Sequence, residues 1–110
     1  MIELKVRKEV HKKLDAHCGY CGKKIAYSEM QVDHKISKMN GGSDDIGNLM
    51  PSCRRCNHYK SAEPLEAFRM WMMTIHERLA KIYIFKVAVD FGIVEIKPFK
   101  GIFYFEKKEK

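Results

Sequence analysis

The chain is 110 residues long, 45% hydrophobic and 32% charged, and it carries a formal net charge of +7 at pH 7 with a pI near 9.3. A chain of this size forms one domain with a modest core, which often needs a metal or disulfides for stability. The apolar content is too high for a disordered chain, and no run of about 18 apolar residues is present that would span a membrane.

The N-terminal segment predicts a helix over residues 3–16. Leu4, Val6, Val10 and Leu14 recur at roughly helical spacing among lysines. The same segment has no apolar core of the kind found in a signal peptide. We therefore expect an intracellular, cytoplasmic protein whose thiols stay reduced, and disulfides are not expected.

The four cysteines form two Cys-x-x-Cys pairs, Cys18–Cys21 and Cys53–Cys56. Four thiolates meet the tetrahedral requirement of a structural zinc site. Residues 22–52 separate the pairs, which is longer than in the usual zinc ribbon, so a segment is inserted between two zinc knuckles. The alternatives are two disulfides or a redox motif, but a redox Cys-x-x-Cys normally occurs once, beside a βαβ pattern that this chain lacks. The spacing therefore favours structural zinc.

The inserted segment predicts two short strands followed by a helix. Residues 30–36 alternate enough for a strand, residues 40–43 indicate a turn, and residues 48–52 predict a short second strand. Pro51 indicates the end or the edge of that second strand, because proline cannot donate to a sheet ladder. Residues 53–61 then predict a helix.

Residues 62–110 predict two helices and a β-hairpin. Apolar side chains at helical spacing define the first helix, namely Leu65, Phe68, Met72, Ile75, Leu79 and Ile82. We expect this helix to form core over the zinc module, and its methionine-rich face is a secondary candidate for binding a partner. Residues 83–89 are ambiguous, because their β-branched residues favour a strand while Phe85, Ala88 and Val89 continue the helical face, and we favour a second helical stretch that ends near Gly92. Residues 93–96 and 102–105 predict two strands joined by residues 97–101.

Several short motifs follow one another in a fixed order through the first half of the chain. They are Cys18 and Cys21, Asp33-His34, Gly41-Gly42, Asn48-Leu49, and then Cys53, Cys56, Asn57 and Lys60. This arrangement resembles the HNH endonuclease family, which occurs in restriction enzymes, homing endonucleases, phage nucleases and colicins. The resemblance implies an α+β fold, a small zinc-stabilised ββα-metal domain with an N-terminal helix and a C-terminal helix plus β-hairpin extension. It implies a single domain over residues 1–110, with residues 17–61 as the core and 62–110 as the extension.

The resemblance also assigns catalytic roles. His34 is the candidate general base, since imidazole titrates near physiological pH and can take a proton from water. Asp33 and Asn57 are implied as ligands of a catalytic divalent ion, and oxygen donors of this kind suit Mg²⁺ or Mn²⁺. His58 is the alternative ligand if the register shifts by one. Asn48 is implied to tie down the loop between the strands and so to fix His34.

Asp33 and His34 are adjacent, which raises a difficulty for a shared site. Neighbouring residues of a regular strand point to opposite faces of the sheet. We therefore expect a loosened strand end if both side chains are to reach one phosphate.

The basic excess favours a polyanionic partner, either nucleic acid or an acidic membrane surface, and the resemblance selects DNA. It implies hydrolysis of DNA to 5′-phosphate and 3′-hydroxyl ends, with Arg54, Arg55 and Lys60 contacting the DNA backbone. No membrane partner is expected. One such site cuts one strand, so a monomer nicks and a homodimer makes a double-strand break. Selectivity is low or comes from a partner protein, and a phage, restriction or homing role each fits.

Other functions would use part of the same pattern. A non-catalytic zinc module that binds nucleic acid needs the cysteines and the charge, but not Asp33, His34 and Asn57 together. A zinc-dependent nucleobase deaminase shares a Pro-Cys-x-x-Cys half, but Ser52 intrudes here and no Glu lies two residues after His34. An interaction module would use the methionine-rich helix. Residues 103–105, all aromatic, either pack on a sheet face or stack on bases.

Overall fold

The computed structural model describes residues 2–109, which divide into two compact units. The first unit comprises residues 2–65 and 103–109, and the second comprises residues 66–102. Both cysteine pairs and the Asp-His and Asn-Leu motifs lie in the first unit. Within residues 2–109, no helix has the length and apolar character needed to cross a membrane.

The first unit is built on a two-stranded antiparallel sheet, with two α-helices among residues 2–65 and a short third one near the end of the chain. Helix α1 spans Leu4–Lys13, strand β1 Gln31–His34, strand β2 Leu49–Ser52 and helix α2 Arg54–Lys60. The basic residues in the last turn of α1 interact favourably with its C-terminal dipole. These elements confirm the predicted N-terminal helix, the two predicted strands, the helix that follows them, and the α+β fold class.

The pairing of the strands fixes the position of the Asp-His motif. Asp33 is paired with Met50, and His34 is paired with Leu49 at the end of the ladder. Strand β2 is buried along its whole length, so it is part of the core of this unit. Its outer edge also receives the backbone N–H of Gly19, which donates to the carbonyl of Pro51 at 2.7 Å. The motif therefore lies at the last pair of a short, firmly held sheet.

A cluster of apolar side chains forms the core of the first unit. Its buried members include Val10, Leu14, Ile25, Met30, Leu49, Met50, Phe103 and Phe105. The two phenylalanine rings stack at 6.2 Å, and the ring of Tyr20 meets Phe103 edge-on at 5.4 Å. Each fully buried phenylalanine contributes about 2–3 kcal/mol of burial free energy. The C-terminal aromatic run is thus part of the core that supports the first cysteine pair.

The second unit consists of two helices and an extended tail. Helix α3 spans Leu65–Leu79 and helix α4 spans Tyr83–Asp90, as the apolar stripe and the glycine after it predicted. Gly92 has a φ of +73°, a left-handed conformation that glycine adopts without strain after a helix end. Within this unit the Arg69 side chain donates to the carbonyl of Gly101 at 2.6 Å, which ties the tail to α3.

The predicted C-terminal hairpin is wrong. Between residues 93 and 103 the structure has no strand, and Tyr104–Lys108 forms a short helix, α5. The N–H of Phe103 donates to the carboxylate of Glu106 at 2.8 Å, which closes the first turn of that helix. The N–H of Phe105 donates to the carbonyl of Gly19 at 2.8 Å. Burial against the first cysteine loop therefore overrides the β propensity of the aromatic run. Base stacking by Phe103 and Phe105 is excluded in this structure, since both are buried.

Candidate active site

The four cysteines meet at the base of the first unit. Their Sγ atoms all lie within 4.8 Å of one another, and those of Cys21 and Cys53 are 4.0 Å apart. Zinc–sulfur bonds of about 2.3 Å in a tetrahedron would separate the sulfurs by about 3.8 Å. All four are free thiols. The donor set and its spacing therefore fit one structural zinc ion.

The two cysteine pairs are held by different elements. Cys18 and Cys21 lie in a tight loop in which the N–H of Gly22, at a φ of +82°, donates to the carbonyl of Cys18 at 3.0 Å. Cys53 caps helix α2, and its Sγ accepts the N–H of Cys56 at 3.4 Å. Hydrogen bonds with the thiols of Cys21 and Cys56 lower the pKa of Cys18, and those with Cys18 and Cys21 raise the pKa of Cys56.

One cavity brings together three of the residues assigned from the sequence. It encloses about 370 Å³ and is lined by Val32, Asp33, His34, Ser37, Lys38, Met39, Asn57, Ser61 and Ala62. Strand β1 supplies Asp33 and His34, and helix α2 supplies Asn57. His58, the alternative ligand, does not line this cavity. The strand stays regular through His34, so the expected loosening of its end is not found, although both Asp33 and His34 are among the residues that line the cavity.

Asp33 is a buried carboxylate held from two sides. Its Oδ2 accepts the hydroxyl of Tyr20 at 2.5 Å and pairs with the ammonium of Lys60 at 3.2 Å. Burial, followed by the charge of Asp33, raises the pKa of Tyr20, so the hydroxyl keeps its proton and donates. Within residues 2–109, Oδ1 of Asp33 has no hydrogen-bond partner. One carboxylate oxygen is therefore fixed while the other is left for a ligand.

The structure corrects the sequence-based prediction that Lys60 contacts the DNA backbone. Its side chain is 0% exposed, so it cannot meet a phosphate in this conformation. Its ammonium instead donates to the carbonyl of His34 at 3.1 Å and pairs with Asp33. A buried lysine needs such partners because an unpaired buried charge is costly. Lys60 thus holds the end of β1, where the Asp-His motif lies.

His34 is engaged by a residue that the sequence reasoning did not include. Its Nε2 lies 2.8 Å from Oδ1 of Asp44, whose Oδ2 accepts the ammonium of Lys38, also at 2.8 Å. The hydrogen bond from Lys38, followed by that from His34, lowers the pKa of Asp44 and keeps it a carboxylate at neutral pH. The only signal in the sequence was an acidic pair after the Gly-Gly turn. Such pairs are usually solvated, so the contact was not foreseen.

Asn48 closes the loop that carries Asp44. Its Oδ1 accepts the N–H of Ile36 at 2.9 Å, and its Nδ2 donates to the carbonyls of Ile36 and Ser43 at 3.0 and 2.8 Å. Gly42 lies at the closest approach, where an added Cβ would sit 1.7 Å from the carbonyl oxygen of Ile36. The loop between the strands is therefore pinned at both ends, immediately after His34.

The two remaining basic candidates lie elsewhere on the first unit. Arg54 and Arg55 are exposed at the start of α2. With Lys23 they line a second cavity of about 510 Å³, which also includes Ser28 and Glu29. The structure therefore does not bring these arginines into the cavity of Asp33 and His34, but places them at the start of the helix that carries Asn57.

Comparison with known families decides the identity of this segment. Residues 18–63 match the family model described as HNH endonuclease. Residues 18–63 form an HNH endonuclease domain. Both cysteine pairs lie within the matched residues, as do Asp33, His34, Asp44, Asn48, Asn57 and Lys60.

Similar HNH segments occur in two curated Cas9 proteins, both described as CRISPR-associated endonuclease Cas9. The protein from Actinomyces naeslundii is 42% identical over 55 residues, 49% of this chain and 5% of the relative. The protein from Corynebacterium diphtheriae is 34% identical over 58 residues, 52% of this chain and 5% of the relative. The chain thus spans only a small part of these relatives.

A solved structure shares the fold of the HNH domain. The crystal structure of the Type II-C Cas9 enzyme from Actinomyces naeslundii matches with a TM-score of 0.54 and 33% sequence identity. The match covers 59% of this chain and 7% of that chain. The likeness therefore concerns a small domain within a much larger enzyme.

The chemistry available to the HNH domain follows from its donor set. The residues that line the cavity include a histidine, an aspartate and an asparagine. It also includes Ser37, whose Oγ is buried with no hydrogen-bond partner among residues 2–109. Buried polar groups are normally satisfied, so the unpartnered Ser37 hydroxyl is unusual, and the imidazole, carboxylate and amide groups among the lining residues suit a polar or ionic ligand.

Proposed function

We propose that this HNH domain hydrolyses DNA phosphodiester bonds, with His34 as general base and one divalent ion held by Asp33 and Asn57. The observation that carries the proposal is the shared cavity. One histidine and two residues with oxygen-bearing side chains, supplied by two elements, are among the residues that line it. The HNH endonuclease match over residues 18–63 supports the same reaction class.

Hydrolysis at this site is a displacement at phosphorus. His34 takes a proton from a water molecule, and the water oxygen forms a new bond to phosphorus. The bond from phosphorus to the 3′ oxygen breaks, and that oxygen leaves and is protonated from solvent. The products are a 5′-phosphate and a 3′-hydroxyl. A positioned general base contributes about 10²–10⁴-fold to such a reaction.

The residues around the cavity fit a hard divalent cation. Asp33 offers Oδ1, because Tyr20 and Lys60 occupy Oδ2, and Asn57 offers an amide oxygen. Few protein ligands of this kind, with room for water and phosphate, suit Mg²⁺ or Mn²⁺. When bound, the ion supplies charge neutralisation for the phosphate and the departing oxygen. Asp33 is already oriented by a hydrogen bond from Tyr20 and an ion pair with Lys60, so its ligand oxygen needs little reorganisation.

The four cysteines have a structural role and take no part in the reaction. They join the Cys18–Cys21 loop to the start of α2, which carries Asn57. Arg54 and Arg55 are exposed on that helix, and the formal net charge of the chain is +7. Exposed cations on the helix that carries Asn57 and a positive net charge support binding to a polyanion through its phosphates. We therefore propose a DNA contact along α2, with a single site nicking one strand at a time.

A plasmid-nicking assay tests this function. Supercoiled plasmid is incubated with wild type, His34→Ala and the control His58→Ala, with Mg²⁺, with Mn²⁺ or with chelator. His58 is a good control because it is an exposed histidine of α2 outside the cavity. Zinc content is measured for each variant to show that the frame is intact.

The expected result is metal-dependent nicking that falls by about 10²-fold or more in His34→Ala and is retained in His58→Ala. Nicking by His34→Ala at the wild-type rate would reject His34 as the base. A zinc-loaded wild type that binds DNA but never nicks it would instead favour the non-catalytic nucleic-acid-binding module.

A further inference from the structure

The contact between His34 and Asp44 defines the protonation of the imidazole. A carboxylate only accepts hydrogen bonds, so Nε2 of His34 must be protonated and donate the 2.8 Å hydrogen bond to Oδ1 of Asp44. A neutral imidazole has one protonated and one unprotonated nitrogen. With the proton on Nε2, the free lone pair is on Nδ1. The contact therefore selects one of two tautomers.

We propose that Asp44 is a positioning residue that holds His34 in the Nε2–H tautomer, so that Nδ1 is the atom that accepts a proton from water. This inference rests on the proposed function of His34 as the base. A base oriented by a third group is a recurrent arrangement in hydrolytic sites. Asp44 has the place of that third group here.

Two further contacts show that Asp44 is itself held. Its second oxygen accepts the ammonium of Lys38 at 2.8 Å, which restrains rotation of the carboxylate. The backbone next to it is fixed because Asn48 donates to the carbonyl of Ser43 at 2.8 Å. The N–H of Asp45 donates to the Ser43 hydroxyl at 3.2 Å. The hydrogen bonds of Asn48 that close the loop after His34 therefore also fix the position of Asp44.

The exposure of the pair sets the scale of the effect. The side chain of His34 is 21% exposed and that of Asp44 is 45% exposed. Water competes for an exposed acceptor, so Asp44 contributes orientation and tautomer choice more than stability. We expect kcat to fall about 10-fold without Asp44, less than for loss of the base itself. KM should stay unchanged, because Asp44 is not placed to bind substrate.

Two substitutions separate tautomer control from charge. Asp44→Ala removes the acceptor. In Asp44→Asn, Lys38 requires the amide oxygen as its acceptor, which turns the amide nitrogen towards His34. That nitrogen donates to Nε2 and selects the opposite, Nδ1–H tautomer. Asp45→Ala is the matched control, since it removes the same charge from the neighbouring position and has no contact with His34 among the described residues.

The tautomer is read directly by nuclear magnetic resonance. Long-range ¹H–¹⁵N spectra of the His34 ring are recorded on the zinc-loaded protein without added Mg²⁺ or Mn²⁺, at a pH where imidazoles are neutral. We expect the Nε2–H form in wild type and Asp45→Ala, a mixture in Asp44→Ala and the Nδ1–H form in Asp44→Asn. In nicking assays, Asp44→Asn should have a kcat as low as Asp44→Ala or lower.

The proposal is overturned if the His34 tautomer is the same in wild type and Asp44→Ala, or if Asp44→Ala nicks as fast as wild type or faster. Faster nicking would make the contact inhibitory. The spectra do not depend on cleavage, so failure of the proposed nuclease function can be told apart from failure of the proposed role of Asp44. In that case wild type does not nick, while the tautomer still follows residue 44.

Discussion

Replacing Lys60 by methionine should destabilise the first unit strongly. The substitution removes a fully buried ammonium that pairs with Asp33 at 3.2 Å and donates to the carbonyl of His34 at 3.1 Å. Removing one partner of a buried ion pair costs about 3–5 kcal/mol, because the other charge is left unpaired. Asp33 keeps its hydrogen bond from the hydroxyl of Tyr20, so we expect the free energy of unfolding to fall by about 3 kcal/mol.

Urea denaturation of the zinc-loaded protein measures this loss. With an m-value of about 1.5 kcal/mol/M, the midpoint of Lys60→Met should fall by about 2 M. Lys38→Met is the control, since Lys38 also pairs with an aspartate but is 59% exposed. Exposed pairs contribute little, so its midpoint should match that of wild type.

A second variant covers the case in which Lys60→Met does not fold. Adding Asp33→Asn removes the unpaired charge, so the double variant should be more stable than Lys60→Met alone. Equal midpoints for Lys60→Met, Lys38→Met and wild type would refute the view that Lys60 is a buried clamp on the Asp-His motif.

Three further substitutions, one of them with a matched control, test separate parts of the first unit. Tyr20→Phe should lower the free energy of unfolding by about 1.5–3 kcal/mol, because it removes a hydrogen bond to a buried carboxylate, and it should weaken Mn²⁺ binding measured by titration calorimetry. Gly42→Ala should cost about 1–3 kcal/mol and slow nicking, since its Cβ would lie 1.7 Å from the Ile36 carbonyl oxygen. Gly47→Ala is the control, because nothing lies within 4 Å of its added Cβ, and its free energy of unfolding and nicking rate should equal those of wild type. Equal effects of the two substitutions would contradict the close packing of the loop at Gly42. Cys56→Ser should lose zinc and the near-ultraviolet circular dichroism of the Tyr20 and phenylalanine core, and a variant that stays folded without zinc would show that the ion is not structural.

The local parts of the fold were predictable from the sequence. The spacing of Cys18, Cys21, Cys53 and Cys56 predicts one tetrahedral cluster, and the four sulfurs do lie together. The short strands and α2 follow from patterns within a few residues. These features depend on local periodicity and ligand spacing, which a single sequence carries.

The features that were missed depend on distant contacts. Lys60 ends a helix, where a lysine is ordinarily solvated, and only the fold shows that it is buried beside Asp33. Asp44 meets His34 because a glycine-containing loop folds back on β1, which no periodicity reports. Residues 103–105 have β-forming side chains, but burial beside Tyr20 decides their conformation. In each case a tertiary contact outweighs the local preference.

The central claim is that His34 and Asn57 belong to one catalytic site, and a double-variant comparison of nicking rates tests it most directly. Residues that act as a unit have strongly non-additive effects on rate. We predict that His34→Ala and Asn57→Ala each abolish most of the metal-dependent rate, and that the double variant is no slower than the slower single variant. A double variant whose loss is the product of the two single losses would contradict the claim, as would a wild-type rate in either single variant.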